Sequence, residues 1–240
     1  MIVVVLSGAG GRMGQAIREL AEDDADLQIR PWGDADSGGD VLIDFSHPDR
    51  TAVCLDRAVA AGMPIVIGTT GIDERLQSSI RTAARSIPVC RSANFSLGVN
   101  LLIELVEQAA RVLPATFDIE ISELHHRWKA DAPSGTALML AQAAARGRGL
   151  DPSCARIRSD GGPREAGEIG IQVARGGDVA GEHVVRLLGD GERLELVHRA
   201  GNRSLFARGA LLAARWLIGQ PPGLYDMRDV IRDLHPTGRG

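Results

Sequence analysis

Lysine is almost missing from this sequence of 240 residues: its 27 basic residues are arginine except for Lys129. No basic run occurs and the formal net charge is −4, so there is no electrostatic case for nucleic acid or an anionic membrane as partner. Cysteine is scarce too. Cys54, Cys90 and Cys154 are odd in number and lack C-x-x-C spacing, which fits a reducing compartment and offers no metal site. His47, His183, His198 and His235 show no metal-ligand spacing and are assigned no chemistry. No apolar run reaches membrane-spanning length, and the sequence opens on a strand-like segment rather than a leader, so a cytoplasmic protein is expected. Repeats and low-complexity segments are missing as well. What is present, 44% hydrophobic and 24% charged residues, suits a globular protein of one large or two small domains.

Residues 2–6, Ile-Val-Val-Val-Leu, form an unbroken apolar run, β-branched over its first four positions, of the kind that fills the centre of a parallel sheet covered on both faces. The run enters Ser7-Gly8-Ala9-Gly10-Gly11-Arg12-Met13-Gly14, after which Met13, Ala16, Ile17 and Leu20 recur at helical spacing. Strand, glycine turn and helix in that order let a pyrophosphate approach the backbone and the helix N-terminus. The strict G-x-G-x-x-G spacing is not met, because position 13 is Met; the glycines fall as Gly8-x-x-Gly11-x-x-Gly14. The turn Gly8 to Met13 is therefore predicted to hold a dinucleotide, the alternative being a tight turn with no ligand. A ribose-binding acid is expected after the second strand. With residues 27–32 as that strand, Asp34 is the candidate among several nearby aspartates. No Arg or Lys directly follows Asp34, so NADH is expected at least as readily as NADPH, and both stay open.

Further along, residues 41–45, 65–67 and 89–90 read as strands and residues 51–61 and 74–85 as helices. This alternation predicts a Rossmann-like, doubly wound parallel sheet of the α/β class. Its ligands should sit at the carboxyl ends of the strands, where the loops at Gly8, Phe45, Gly68-Thr69-Thr70-Gly71 and Ser92-Ala93-Asn94-Phe95 all fall. Only eight residues separate Trp32 from Val41, too few for a helical crossover, so either that link is a bare loop or the second strand lies elsewhere. A long amphipathic helix over 97–113 leads into a second, α+β domain. There strands at 117–123, 169–174, 183–188 and 193–198, with glycine turns between them, predict a mixed or antiparallel sheet. A last apolar helix, 206–218, is expected to return to the first domain. The division expected is 1–96, completed by 203–240, as the dinucleotide-binding domain, and 97–202 as the substrate domain.

The densest chemistry lies in the stretch from His125 to Thr136, between a strand and a helix. Ser134 is a good N-cap for the helix that begins near Thr136. A helix start favours an anion, Lys129 adds a full positive charge, and His125 and His126 can give or take a proton near neutral pH. Carboxylate recognition and proton transfer are thus assembled within twelve residues. A His pair alone, or a Ser-Gly-Thr cap alone, is more often incidental; their coincidence with the glycine turn is what gives them weight.

These segments resemble the 4-hydroxy-tetrahydrodipicolinate reductase (dihydrodipicolinate reductase) family over nearly the whole chain. The resemblance is carried by Gly8 to Gly14, Ile43-Asp44-Phe45-Ser46, Gly68 to Gly71, Ala93-Asn94-Phe95-Ser96, Arg175-Gly176-Gly177-Asp178, Gly181-Glu182-His183, and Arg203 with Phe206-Ala207. Its most specific block runs from Glu123 to Ala137. The resemblance implies reduction of a cyclic dicarboxylate imine in diaminopimelate and lysine synthesis, by NADH or NADPH, in a homotetramer built through the second domain's sheet. It implies that Gly8, Ala9, Gly10, Gly11, Arg12 and Met13 hold the pyrophosphate, and that Gly68, Thr69, Thr70, Ser92, Ala93, Asn94 and Phe95 position the nicotinamide ribose and ring. Phe45 and Phe95 either pack beside the nicotinamide or belong to the core. His126, Lys129, Ser134, Gly135 and Thr136 would bind the substrate carboxylates. His125 would be the general acid, with Lys129 stabilising developing charge and able to deliver a proton itself. Two other readings compete: a two-domain dehydrogenase of the aspartate or homoserine type, and a redox-sensing nucleotide binder. The first has no known equivalent of the His-His to Ser-Gly-Thr block, and the second lacks a basic helix here.

Overall fold

The computed structural model describes residues 1–33, 38–157 and 162–234. Asp34, the ribose-acid candidate, and His235 lie outside the described residues. The chain divides into two compact units, 1–97 with 203–240, and 98–202.

The first unit opens with β1 (Ile2–Ser7), α1 (Arg12–Glu22), β2 (Leu27–Pro31), β3 (Val41–Asp44), α2 (Pro48–Ala61), β4 (Ile65–Ile67), α3 (Glu74–Ala83) and β5 (Pro88–Arg91). The second contains α4 (Leu97–Val112), β6 (Asp118–His125), α5 (Gly135–Arg148), a 3-10 turn at Pro152–Cys154, β7 (Ala155–Ile157), β8 (Ile169–Arg175), β9 (Glu182–Gly189) and β10 (Glu192–Arg199). The chain then returns to the first unit with α6 (Ser204–Leu217), β11 (Gly223–Tyr225) and α7 (Met227–Leu234).

In the first unit six parallel strands lie in the order β11-β5-β4-β3-β1-β2. β3 and β4 are buried at every position, which is why their sequences are continuous apolar runs rather than alternating ones. One face of the sheet packs Val4, Leu6, Ile43 and Val66 with Ile17 of α1 and the alanines of α6. The other packs Val5, Leu42, Ile65 and Ile67 with Leu55 of α2 and Ile80 of α3. Two cores on opposite faces make the sheet doubly wound, as expected from the sequence. β2 lies where it is expected, and β1 separates it from β3, so the link between them crosses β1. Its two ends are pinned to β1: Trp32 N–H donates to Leu6 O at 2.9 Å and Asp40 N–H to Val3 O at 2.8 Å. No helix occurs among its described residues, 32–33 and 38–40.

The second sheet runs β10-β9-β6-β8-β7. β6 pairs with β8 in parallel and with β9 antiparallel, so the sheet is mixed. Along β6 burial alternates, placing Ile119, Ile121, Glu123 and His125 on the inner face. Ile169, Ile171, Val185 and Leu187 join that face, covered by α4 and the alanine-rich α5. The inner face is therefore apolar at one end of β6 and ionisable at the other. Among the described residues no helix is long and apolar enough to cross a membrane.

Candidate active site

The carboxyl ends of β1 and β3 meet at a close backbone contact. Gly8 adopts φ +82°, and a Cβ there would lie 2.4 Å from Phe45 O, so only glycine fits. Gly8 O accepts from Gly11 N–H at 3.0 Å, and α1 begins at Arg12 with no acidic residue in its first turn. In front of this turn is a cavity of about 560 Å³ lined by Leu6, Gly8 to Gly11, Trp32, Phe45, Ser46, His47 and Arg50. The turn suits a dinucleotide: free helix-start N–H groups, no opposing acid and open space beside a bare backbone. Gly8, Ala9, Gly10, Gly11 and Phe45 are thus brought together, with Arg12 exposed and Met13 half-buried in the first turn of α1.

The neighbouring loops are tied to that cavity by Asp44, which is fully buried. Ser46 Oγ and Thr51 Oγ1 each donate to its carboxylate at 2.5 Å, and Thr69 Oγ1 donates at 3.0 Å while accepting from Ser46 N–H at 3.2 Å. Gly68 lies against the Phe45 ring, where a Cβ would fall 2.1 Å from it. Thr70 and Ala93 are exposed. Ser92 Oγ donates to Asn94 O at 2.7 Å, and Ser96 N–H donates to Asn94 Oδ1 at 2.8 Å, shaping the loop after β5. The Phe95 ring is buried in the core and meets Phe45 edge-on at 5.4 Å, so of the two phenylalanines Phe45 is the one that lines the cavity. Trp32, Ser46, His47 and Arg50 were not anticipated from the sequence. Their signal is positional: three of them follow β3 at the start of α2, the loop position next to the glycine turn in a doubly wound sheet.

In the second unit the end of β6 and the start of α5 share one carboxylate. Glu123, 2% exposed, accepts from Ser134 N–H at 3.1 and 3.2 Å and from Arg175 Nη2 at 3.1 Å. His125 Nδ1 lies 3.3 Å from Glu123 Oε2. Burial works against ionising Glu123, but the contacts from His125, Ser134 and Arg175 outweigh it and hold its pKa down to about 2. His183, from β9, packs edge-on against His125 at 5.2 Å, with Nε2 3.1 Å from Ser134 Oγ. Burial, with the neighbouring His125, pushes His183 down to about 4, so its ring is neutral at pH 7. Glu123, His125 and His183 bring donor atoms within 4.8 Å of one another. Arg175 and the Ser134 amide already hold the carboxylate, which favours a hydrogen-bond network over a cation.

The loop residues follow. Lys129 Nζ donates to both oxygens of Asp131, and Arg175 Nη2 donates to Asp131 O at 2.7 Å. His126 is half-buried and its N–H donates to Val179 O at 2.8 Å. Ser134 caps α5 as expected, its Oγ accepting from Ala137 N–H at 3.1 Å. That hydroxyl is turned inward and already engaged. The exposed Gly135 and half-buried Thr136 are the residues of the first turn that stand nearer the surface. Glu123, Asp131, Arg175 and His183 were not assigned a site role from the sequence.

A Rossmann-type nucleotide-binding unit joined to an α+β unit that carries buried acid–base chemistry defines an oxidoreductase built from two parts. The particular family follows from comparison. A family model described as dihydrodipicolinate reductase, N-terminus, matches residues 32–95, and one described as dihydrodipicolinate reductase, C-terminus, matches residues 98–231. The chain is 45% identical to the 4-hydroxy-tetrahydrodipicolinate reductase of Thiobacillus denitrificans over 95% of its own length and 97% of the relative's. It is 46% identical to that of Caulobacter vibrioides over 96% and 97%. The solved structure of a dipicolinate-bound dihydrodipicolinate reductase from Paenisporosarcina sp. TG-14 shares the fold, with a TM-score of 0.76 at 24% identity, over 94% of this chain and 97% of that one. The chain belongs to the dihydrodipicolinate reductase family.

Proposed function

We propose that the chain reduces 4-hydroxy-tetrahydrodipicolinate to tetrahydrodipicolinate with NADH or NADPH, releasing water, as a step in diaminopimelate and lysine synthesis. The balance is one substrate, one reduced coenzyme and one proton in, and one product, one oxidised coenzyme and one water out. A bound dihydronicotinamide supplies the hydride. The residues of the chain do the rest. Gly8 to Met13 hold the pyrophosphate, and the loops of Gly68 to Thr70 and Ser92 to Phe95 position the nicotinamide end. Arg50 lines the same cavity and offers a cation to a 2′-phosphate, so NADPH is accepted alongside NADH. His126, Lys129 and the α5 start at Ser134, Gly135 and Thr136 bind the substrate carboxylates. His125 gives the proton, and Lys129 stabilises the charge that develops on the ring and can deliver a proton itself.

The observation that carries this reading is the buried Glu123–His125 pair, with Glu123 hydrogen-bonded to the start of a capped helix and the chain's only lysine four residues on from His125. Residues 98–202 act as the substrate and oligomerisation domain. Support for a homotetramer comes from β10, an edge strand whose Leu194 and Val197 are exposed, and from an apolar hollow formed by Leu194 and Leu196 with Leu105, Ala109, Val112 and Leu113. The protein works in the cytoplasm. The test is coenzyme oxidation followed by absorbance with freshly generated cyclic substrate. Turnover with that substrate, and none with aspartate or homoserine-type substrates, is expected; coenzyme binding without turnover contradicts the reading.

A further inference from the structure

We propose that Glu123 is a positioning residue for the reduction: its carboxylate faces the Nδ1 edge of His125 and favours the proton there, so that Nε2 is the edge from which the proton leaves. The proposal rests on reading His125 as the general acid and adds what sets its ring.

The strand geometry comes first. Glu123 and His125 are two residues apart on β6 and share its inner face. In the sheet register His183 of β9 stands opposite Glu123, and Arg175 of β8 stands opposite His125. Each side chain that meets the carboxylate from these strands is therefore placed by rigid backbone rather than by a mobile loop.

The two carboxylate oxygens have different work. Oε1 takes the Arg175 guanidinium. Oε2 is 3.3 Å from His125 Nδ1 and 3.8 Å from His183 Nε2. His183 has a nearer partner, Ser134 Oγ at 3.1 Å, which leaves Oε2 to His125. An anion in this position favours a proton on Nδ1 whether the ring is neutral or charged. The groups that face His125 and Glu123 are Arg175 from β8, His183 from β9 with His198 behind it on β10, and Lys129 and Asp131 from the following loop.

At the other edge of the ring, Gly181 adopts φ +154°, and a Cβ there would lie 3.0 Å from His125 Nε2. Glycine keeps the space beside Nε2 clear. The same carboxylate that faces Nδ1 also takes the Ser134 N–H, so one buried group lies between the acid and the helix start proposed to grip a substrate carboxylate. Glu123 thereby sets the spacing between grip and acid. A purely structural Glu123 would anchor α5 and Arg175 and have no bearing on which nitrogen of His125 carries the proton.

The experiment compares the wild-type enzyme with Glu123→Gln, Glu123→Asp and His125→Gln, using kcat and KM with coenzyme and freshly generated substrate across the stable pH range. Glu123→Gln is expected to lower kcat about ten- to hundredfold with KM changed less than about threefold. Glu123→Asp should recover part of the lost kcat. In the wild-type enzyme, nitrogen NMR of labelled histidine should show the neutral His125 ring protonated at Nδ1, the signal being assigned by its loss in His125→Gln. A folded Glu123→Gln enzyme with unchanged kcat, whatever its KM, overturns the proposal. So does a wild-type His125 protonated at Nε2, and this second readout decides the matter if the Gln variant does not fold. Wild-type kcat in His125→Gln overturns the acid reading itself, whereas a crippled His125→Gln beside a Glu123→Gln enzyme of wild-type kcat overturns only the positioning.

Discussion

Lys129 reaches both carboxylate oxygens of Asp131, at 2.7 and 2.8 Å from its ammonium. The amine proposed to take a substrate carboxylate is thus already paired with one from its own loop, and the pair must open for a diacid to bind. Such a partly exposed pair is worth about 0.5–1 kcal/mol. Asp131→Asn should therefore lower KM about two- to fivefold, since the competitor is gone. Lys129→Ala should raise KM at least about tenfold and lower kcat as well. Steady-state kinetics of both variants check this; a raised KM in Asp131→Asn, or an unaltered one in Lys129→Ala, contradicts the carboxylate role.

Gly68 is the packing point between the loop after β4 and the Phe45 ring. A methyl group would sit 2.1 Å from that ring, which is held in turn by Phe95 at 5.4 Å. Overpacking of this kind costs about 1–3 kcal/mol. Gly68→Ala is expected to lower Tm by several degrees and to weaken coenzyme binding through the displaced Phe45. Calorimetry and coenzyme titration test it, and a variant with both quantities unaltered would show that the contact is not tight.

Arg50 is the cation that a reading confined to the residues after Asp34 does not supply; it arrives from α2 instead. Arg50→Ala should weaken NADPH about tenfold more than NADH. Direct titration of the two coenzymes against both proteins measures it, and equal losses would remove Arg50 from coenzyme selection.

Two inward-facing groups make stability depend on pH in the same direction. Burial and His125 lower His183 from 6.5 to about 4, so between those values the unfolded chain takes up a proton that the folded one refuses. Stability falls as pH falls through that window, and the half-buried His198, also lowered by desolvation, adds to it. Glu123 is held down from 4.5 to about 2 despite its burial, so its stabilisation is complete above 4.5 and is lost as pH drops toward 2. Urea midpoints measured down a pH series should fall in two stages, and His183→Gln should flatten the upper one. A midpoint constant between pH 6.5 and 4 contradicts this.

Most of the fold is legible in the sequence because its strands are apolar runs and its helices carry turns and caps of ordinary chemistry. β11 and α7 were not anticipated: three residues beside two prolines give no periodicity, and β11 becomes a strand only by pairing with β5. β7 is equally short. The loop chemistry at His125, Lys129 and Ser134 could be named from local order. Its partners could not be, because Arg175 joins Glu123 from 52 residues away and His183 joins Ser134 from 49. A trace of them was nonetheless present. The alternation Ile119, Ile121, Glu123, His125 points Glu123 inward, and His183, Val185, Leu187 does the same for His183. An inward-facing ionisable residue at the end of an apolar alternation is the signal that a reading by chain neighbours passes over.

The most direct test of the account is the steady-state kinetics of His125→Gln with freshly generated cyclic substrate. If His125 is the acid, kcat falls by about two orders of magnitude or more while KM stays near the wild-type value. A variant that turns over at the wild-type rate contradicts the account at its centre.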